Sequence, residues 1–164
     1  SAIEAVCPGG LPAAEVKGIL ESHNRLRSNI WRGKYSAKGK LMPAAKRKIP
    51  PLKWDCTLEN AAQNVTNQCI YAHSTNRINI GENLWTAVGM GGWKGIAGFG
   101  KEASNSWKAE FQDYGWPSII FTEDDVKRGI WHATQMAWSN TTKIGCGVTI
   151  CEEATRVIVA CHYD

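Results

Sequence analysis

The chain has 164 residues, a length typical of one domain, and hydrophobic residues make up 43% of it. With 21% charged residues, this composition excludes a disordered chain. We expect no membrane span, because no apolar run approaches the ~20 residues that a spanning helix needs. The sequence begins at Ser1 without an apolar signal segment, so we interpret it as a mature or trimmed product.

The net charge of +4 is unevenly distributed along the chain. Residues 1–53 carry eleven Lys and Arg against three acidic residues, whereas residues 54–164 carry eight against twelve. The basic residues concentrate in one segment and are Lys34, Lys38, Lys40, Lys46, Arg47 and Lys48. Two interpretations stay open for this segment, a solvated loop and a contact for sulfated glycans or acidic surfaces. We expect no nucleic acid, because no aromatic stacking pattern accompanies the charge.

Helical spacing of apolar residues predicts three main helices. The first runs from about Ala13 to Arg32 and precedes a basic loop from Gly33 to Pro51. The second begins at about Asp55. Residues 89–100 are rich in glycine, but their spacing fits neither a dinucleotide nor a phosphate loop, so we predict a mobile surface loop. The third helix then follows from Lys101 to about Tyr114.

The third helix carries a carboxylate on its apolar face. Glu110 falls on the same face as the stripe formed by Ala103, Trp107, Phe111 and Tyr114. A buried carboxylate costs free energy unless it is hydrogen-bonded, paired or bound to a metal. The sequence therefore marks this position for a role beyond packing.

Three further polar residues lie in apolar surroundings and are His73, Glu82 and His132. Glu82 shares strand parity with Ile78 and Ile80 in the run from Arg77 to Trp85. Together with Glu110, two histidines and two carboxylates can form one site. Their spacing matches no local metal motif, so separate hydrogen-bonded core groups remain the alternative.

Two alternating runs near the C-terminus predict an antiparallel hairpin with a loop from Glu152 to Thr155. If Cys151 faces Arg156, then Cys146 lies directly opposite Cys161, within reach of a disulfide. Cys151 must then find its partner elsewhere. Helices interrupted by antiparallel strands predict an α+β sandwich.

The cysteines indicate an oxidising compartment. There are six, Cys7, Cys56, Cys69, Cys146, Cys151 and Cys161. No C-x-x-C pair occurs, so the even number predicts three disulfides rather than a zinc ribbon. The sequons at Asn64 and Asn140 also favour a secreted, glycosylated protein.

Four short motifs occur in order across about 140 residues. His23–Arg27 matches H-N-x-x-R, Gly81–Leu84 matches G-E-N-L, His132–Trp138 resembles H-[aromatic]-T-Q-[M/V]-V-W, and Cys161–Tyr163 resembles C-[N/H/Q]-Y. The chain thus resembles the CAP superfamily of cysteine-rich secretory, antigen 5 and pathogenesis-related 1 proteins. Within it, the chain is most similar to the venom-allergen-like, activation-associated secreted proteins of nematodes.

The resemblance implies an α-β-α sandwich with a largely antiparallel sheet. It also implies a central cleft formed by His73, Glu82, Glu110 and His132, in which the two histidines bind zinc in some family members. We expect any zinc to be weakly held and not essential for folding. The implied disulfides are Cys7–Cys56, Cys69–Cys151 and Cys146–Cys161.

The sequence departs from the family pattern at two places. Trp131 and Ala133 flank His132 where the family has other residue types, so we expect a reshaped cleft wall; we also expect Trp131 and Trp138 to pack. The chain ends at Asp164, inside the C-terminal motif. The expected organisation is a single CAP domain over residues 1–164 without a cysteine-rich appendage.

The expected function is binding rather than catalysis, in host–parasite interaction or immune modulation. The partner would be a host receptor, a lipid or sterol, or a sulfated glycan. The alternative is a zinc-dependent or Glu/His hydrolase that uses the central cleft. We assign no catalytic residue, because no Ser or Cys nucleophile is evident and two histidines hold zinc weakly.

Overall fold

The computed structural model describes residues 4–164. The predicted domain begins at residue 1, so its first three residues lie outside the described part, and its extent stays a prediction. The helices and strands in chain order are α1 (Ala13–Trp31), β1 (Ser36–Ala37), β2 (Lys40–Leu41), β3 (Lys53–Trp54), α2 (Cys56–Asn67), β4 (Gly81–Val88), α3 (Phe99–Tyr114), α4 (Glu123–Val126), α5 (Trp131–Ala137), β5 (Lys143–Cys151) and β6 (Arg156–Tyr163).

A four-stranded sheet in the order β3-β5-β6-β4 forms the middle layer. Only β3 and β5 are parallel among its described pairings, so the sheet is largely antiparallel. Helix α2 packs on β5 and β6, and α1, α3 and α5 pack together on the other side. Gly145 and Gly147 let α2 lie directly on β5, since a Cβ at either position would overlap α2 backbone atoms. The predicted α-β-α sandwich is confirmed.

The C-terminal hairpin has the predicted register. Cys151 faces Arg156, Cys146 faces Cys161, and residues 152–155 form the turn. All three disulfides implied by the resemblance are present, and none of the described cysteines is unpaired. In the chain-entropy model, the Cys69–Cys151 bridge stabilises by about 4 kcal/mol, because it closes a long loop.

Helix α2 begins where the sequence predicts because of a side-chain cap. The carboxylate of Asp55 accepts a hydrogen bond from the backbone N–H of Leu58 at 2.8 Å. Helix α1 ends one residue before the predicted boundary, and α3 begins two residues earlier than predicted. Such differences are ordinary at helix ends, which fray.

Three expectations about burial are wrong. Tyr114 was expected on the buried stripe of α3, but it lies in the last turn and is 49% exposed. Ile78 precedes β4, which begins only at Gly81, and is also exposed. Trp131, the first residue of α5, is 54% exposed, and Trp138, directly after its last residue, is 43% exposed. Both are exposed because this short helix packs only its inner face against the core.

Candidate functional site

Glu82 lies near the start of β4 and binds two histidines at once. Its Oε1 accepts from His73 Nδ1 at 2.8 Å, and its Oε2 accepts from His162 Nε2 at 2.7 Å. The backbone N–H and the hydroxyl of Ser74 each donate to one of the same oxygens, at 2.9 and 2.8 Å. Both carboxylate oxygens are therefore saturated with donors.

The surroundings of Glu82 keep it ionised. Burial by itself would raise the pKa of this carboxyl, but the hydrogen bonds from His162, Ser74 and His73 outweigh it and lower the pKa to about 2. Arg77 adds a cation 3.7 Å away. The Glu82 side chain is fully enclosed, whereas its partner His73 is 57% exposed. A buried anion thus holds an accessible imidazole.

Glu110 on α3 forms the second pair, with His132 at the start of α5. Its Oε2 accepts from His132 Nδ1 at 2.7 Å. Its Oε1 accepts from the backbone N–H groups of His132 and Ala133, at 2.9 and 3.0 Å. These donors belong to the first turn of α5, whose N–H groups have no partner within the helix. Glu110 therefore caps α5 and orients the imidazole that the helix carries.

Hydrogen bonds from Asn83, the residue next to Glu82, connect the strand of the first pair to the backbone of the second. Asn83, next to Glu82, donates to the backbone carbonyl of His132 at 3.0 Å and to the hydroxyl of Tyr163 at 3.2 Å. Tyr163 in turn lies 2.8 Å from His23 Nε2. The family-type motifs around these residues are thus in contact, although they are far apart in sequence.

His23 is a structural member of this network. It is fully buried, and desolvation lowers its pKa to about 4. The neutral ring donates from Nδ1 to the carbonyl of Ile19 and accepts the Tyr163 hydroxyl proton at Nε2. Burial also raises the pKa of Tyr163, so both groups stay neutral near pH 7.

His73 and His132 have the arrangement that a metal-binding imidazole requires. In each, Nδ1 is engaged by a carboxylate, and no hydrogen bond to Nε2 occurs within residues 4–164. The carboxylates would therefore orient the rings while Nε2 binds the metal. The ring of His132 is further fixed by stacking on Trp107, with centroids 6.1 Å apart.

The histidine–glutamate site (His73, Glu82, Glu110 and His132) offers few ligands. Over the described residues, only Cys7, Cys56 and Glu59 place three candidate ligand atoms mutually within 4.8 Å. This trio cannot serve, because its two sulfurs form a disulfide. A zinc ion at the histidines would complete its coordination with water, which fits a weak site.

His162 is a site residue that the sequence reasoning missed. It lies directly across from Glu82 in the pairing of β4 with β6. Its only signal in the sequence is its place in the Cys161–Tyr163 motif, and that motif does not reveal which strand pairs with β6. The strand pairing alone brings His162 to Glu82.

The other predicted sites lie elsewhere on the molecule. Both sequon asparagines, Asn64 on α2 and Asn140 after α5, are exposed. All six residues of the basic segment are exposed as well. None of them contacts the histidine–glutamate site, so any role in glycan binding is separate from it.

A family model described as the cysteine-rich secretory protein family, CAP, matches residues 20–163. The chain therefore belongs to the CAP family. It is 34% identical to the Ancylostoma secreted protein of Ancylostoma caninum, over 96% of this chain and 38% of that protein.

Two solved structures resemble the fold closely. "Structure of BmVAL-1" has a TM-score of 0.88 and 37% identity, covering 98% of this chain and 81% of that one. "Crystal structure of NaASP2 with Zn2+" has a TM-score of 0.85 and 32% identity, covering 96% and 83%. The predicted likeness to nematode venom-allergen-like secreted proteins is confirmed.

No helix in residues 4–164 combines the length and apolar character needed to cross a membrane.

Proposed function

We propose that this CAP protein is secreted and acts by binding, without catalysis, in host–parasite interaction or immune modulation. Its partner would be a host receptor, a lipid or sterol, or a sulfated glycan. Three disulfides support an oxidising, extracellular location, and the similarity to the Ancylostoma secreted protein supports it as well.

The observation that supports a function without catalysis is that both carboxylates already accept hydrogen bonds from the protein on each oxygen. Glu82 accepts four hydrogen bonds and Glu110 accepts three, all from the protein itself. A general base must instead reach a proton on the substrate or on a nucleophile. The hydroxyl of Ser74 does touch the site, but it donates to Glu82, whose pKa of about 2 makes it a very weak base. In a catalytic triad, that hydroxyl would instead donate its hydrogen bond to a histidine imidazole.

We also propose that His73 and His132 bind a divalent metal through their Nε2 atoms. The carboxylate–histidine pairs support this, since such pairs orient imidazole ligands in zinc sites. The similar NaASP2 structure is one with Zn2+, which adds support. Zinc bound here would supply a Lewis acid and a cross-link between the segment that joins α2 to β4 and helix α5, and with two protein ligands it would be held weakly. Affinity should fall as the solution becomes acidic, because protonated imidazole cannot bind metal.

Calorimetric titration with zinc at pH 7.5 tests the metal site. We expect His132→Ala to abolish binding and Glu110→Gln to weaken it about tenfold, because Gln cannot hold the imidazole as strongly. Lys127→Ala, an exposed change near α5, serves as the control and should bind as the wild type does. Equal affinities of the wild type and His132→Ala would contradict the assignment.

A hydrolase panel with and without zinc tests the binding function itself. We expect no turnover of ester, peptide or phosphate substrates. A rate that disappears in both Glu110→Gln and His132→Ala, with each variant folded, would establish the hydrolase alternative and overturn the proposal. Zinc binding without turnover is the expected combination.

A further inference from the structure

A second concave surface lies away from the histidine–glutamate site. It is a cleft of about 610 Å³ lined by residues of three segments, 43–49, 116–121 and the end of α5 with the residues after it (137–140), and by Ile30 near the end of α1. We call it the basic groove. Half of the predicted basic segment, Lys46, Arg47 and Lys48, forms one of its walls.

The charge of the basic groove is unbalanced. Its lining contains these three cations and no Asp or Glu. None of the three forms an ion pair with any described residue, although the ammonium of Lys48 lies over the ring of Trp31 at 5.6 Å. Elsewhere Arg77, Arg128 and Arg156 have carboxylate partners. Three adjacent unpaired cations create a positive field that favours a polyvalent anion.

The opposite side of the basic groove is mostly apolar and aromatic, with three polar residues at its surface. Trp138 is 43% exposed, and its ring meets the edge of Phe121 at a centroid distance of 6.0 Å. Trp116 is held by stacking on Phe111 at 5.3 Å. Ser118, Ser139 and Asn140 add hydrogen-bonding groups. An exposed indole beside hydroxyl and amide groups suits the C–H face and the hydroxyls of a sugar ring.

One buried side chain ties the two sides together. The guanidinium of Arg27 donates to the carbonyl of Pro50, directly after the basic wall, at 2.8 Å. It also donates to the carbonyls of Trp138 and Thr141, at 2.7 and 2.8 Å. The backbone of both sides is thus held in place before a ligand arrives, which reduces the entropic cost of binding.

We propose that the basic groove binds a sulfated glycan, with sulfates on Lys46, Arg47 and Lys48 and a sugar ring on Trp138. This inference rests on the proposed binding function and names one partner and its site. A single-headed amphiphile such as a fatty acid supplies one negative charge, whereas the groove presents three cations in sequence. A sulfated oligosaccharide matches both the repeated charge and the aromatic surface.

The structure divides the basic segment into a site and a matched control. Lys34, Lys38 and Lys40 do not line the groove, and Lys38 instead lies beside Gly115 at the end of α3. Replacing either set of three by Gln removes the same charge. The two triple variants will differ in glycan affinity only if binding is localised at the groove. Trp131 is a similar control for Trp138, since it is exposed and contacts Phe121 but does not line the groove.

The test is calorimetric titration with a heparin hexasaccharide at physiological salt. All proteins carry Thr142→Ala, which removes the sequon of Asn140 and so keeps any attached glycan off the rim without changing a lining residue. We expect the Lys46/Arg47/Lys48→Gln variant to lose about tenfold or more in affinity, against about twofold for Lys34/Lys38/Lys40→Gln. Trp138→Ala should lose about fivefold, and Trp131→Ala should be unchanged. De-sulfated heparin should not bind.

Two results would overturn the proposal. Equal losses in the two triple variants would mean that only the overall charge matters. Displacement of the oligosaccharide by palmitate, or palmitate binding at the groove with no heparin binding, would assign the groove to a lipid. Neither result depends on the hydrolase panel. If the sulfated-glycan site is wrong, the proposed function without catalysis is therefore still tested separately by that panel.

Discussion

The histidine–glutamate site and the basic groove use charged side chains in opposite ways. In the first, each carboxylate is fully hydrogen-bonded by the protein, and Glu82 alone accepts from two histidines and a serine. In the second, three cations lie together without a carboxylate among the lining residues. Satisfied charges hold a fold together, whereas unpaired charges on a surface are available to a ligand. The comparison therefore separates the two carboxylates, which stabilise this protein, from the three groove cations, which are available to a ligand.

The largest expected effect comes from Arg27, whose buried guanidinium holds the two sides of the basic groove. Arg27→Ala should lower the free energy of unfolding by about 4 kcal/mol, because four carbonyl acceptors lose a charged donor. Burial lowers the pKa of Arg27 to about 10, so the group is charged at neutral pH. Urea unfolding measures the change. The exposed neighbour Arg25→Ala should change it by less than about 0.5 kcal/mol; similar values for both variants would contradict the role of Arg27.

Glu82 tests the stabilising role of the satisfied site. Its lowered pKa means that the carboxylate stabilises the folded state fully above about pH 4.5, and that this contribution disappears as the pH falls towards 2. Glu82→Gln should therefore lose about 3 kcal/mol at pH 7, and the difference from the wild type should shrink near pH 2.

Urea unfolding at several pH values measures the effect of Glu82→Gln. Glu102→Gln, an exposed change on α3, is the control. A difference between wild type and Glu82→Gln that stays constant down to pH 2 would show that the carboxylate charge is not the cause.

His23 should produce a separate pH dependence at milder acidity. Its folded pKa of about 4 lies below the unfolded value of 6.5, so the unfolded state binds the proton first as the pH falls. Stability from this group is complete above about pH 6.5 and decreases towards pH 4, by about 2 kcal/mol between pH 7 and pH 5. His23→Gln should be less stable at pH 7 and show a flatter profile there; an unchanged slope would exclude His23 as its source.

The basic groove should give the smallest change in stability. We expect Lys46/Arg47/Lys48→Gln to shift the free energy of unfolding by less than about 0.5 kcal/mol, because these exposed cations have no ionic partner to lose among the described residues. Thermal unfolding of this variant beside Lys34/Lys38/Lys40→Gln measures it. A loss of several kcal/mol in the free energy of unfolding would mean that these cations stabilise the fold, and the two regions would then not differ in this respect.

Local patterns predicted the C-terminal hairpin in detail. Side chains alternate strictly along a strand, so fixing Cys151 opposite Arg156 also fixed Cys146 opposite Cys161. The anomaly of Glu110 on an apolar helix face was also visible, because helical periodicity reveals a charge out of place. The identity of its partners was not visible, since the N–H groups that it caps belong to α5, more than twenty residues later.

The tryptophans show where a local pattern misleads. Trp131 and Trp138 were expected to pack because of their size, but both are partly exposed beside Phe121. Residue type gives an average tendency to be buried and does not identify the face that a seven-residue helix turns inward. The packing of α5 against α1 and α3 decided it.

The sequence by itself determined the main helices, the hairpin, its cysteine register and, through short motifs, the family. These follow from interactions between residues close in the chain, or from residue types that recur in a fixed order. Only the tertiary structure decided that His162 joins Glu82, that Arg27 links two sides of a groove, and that Lys46, Arg47 and Lys48 separate from Lys34, Lys38 and Lys40. Each of these depends on contacts between distant segments, which strand order and helix packing set and which no local periodicity records.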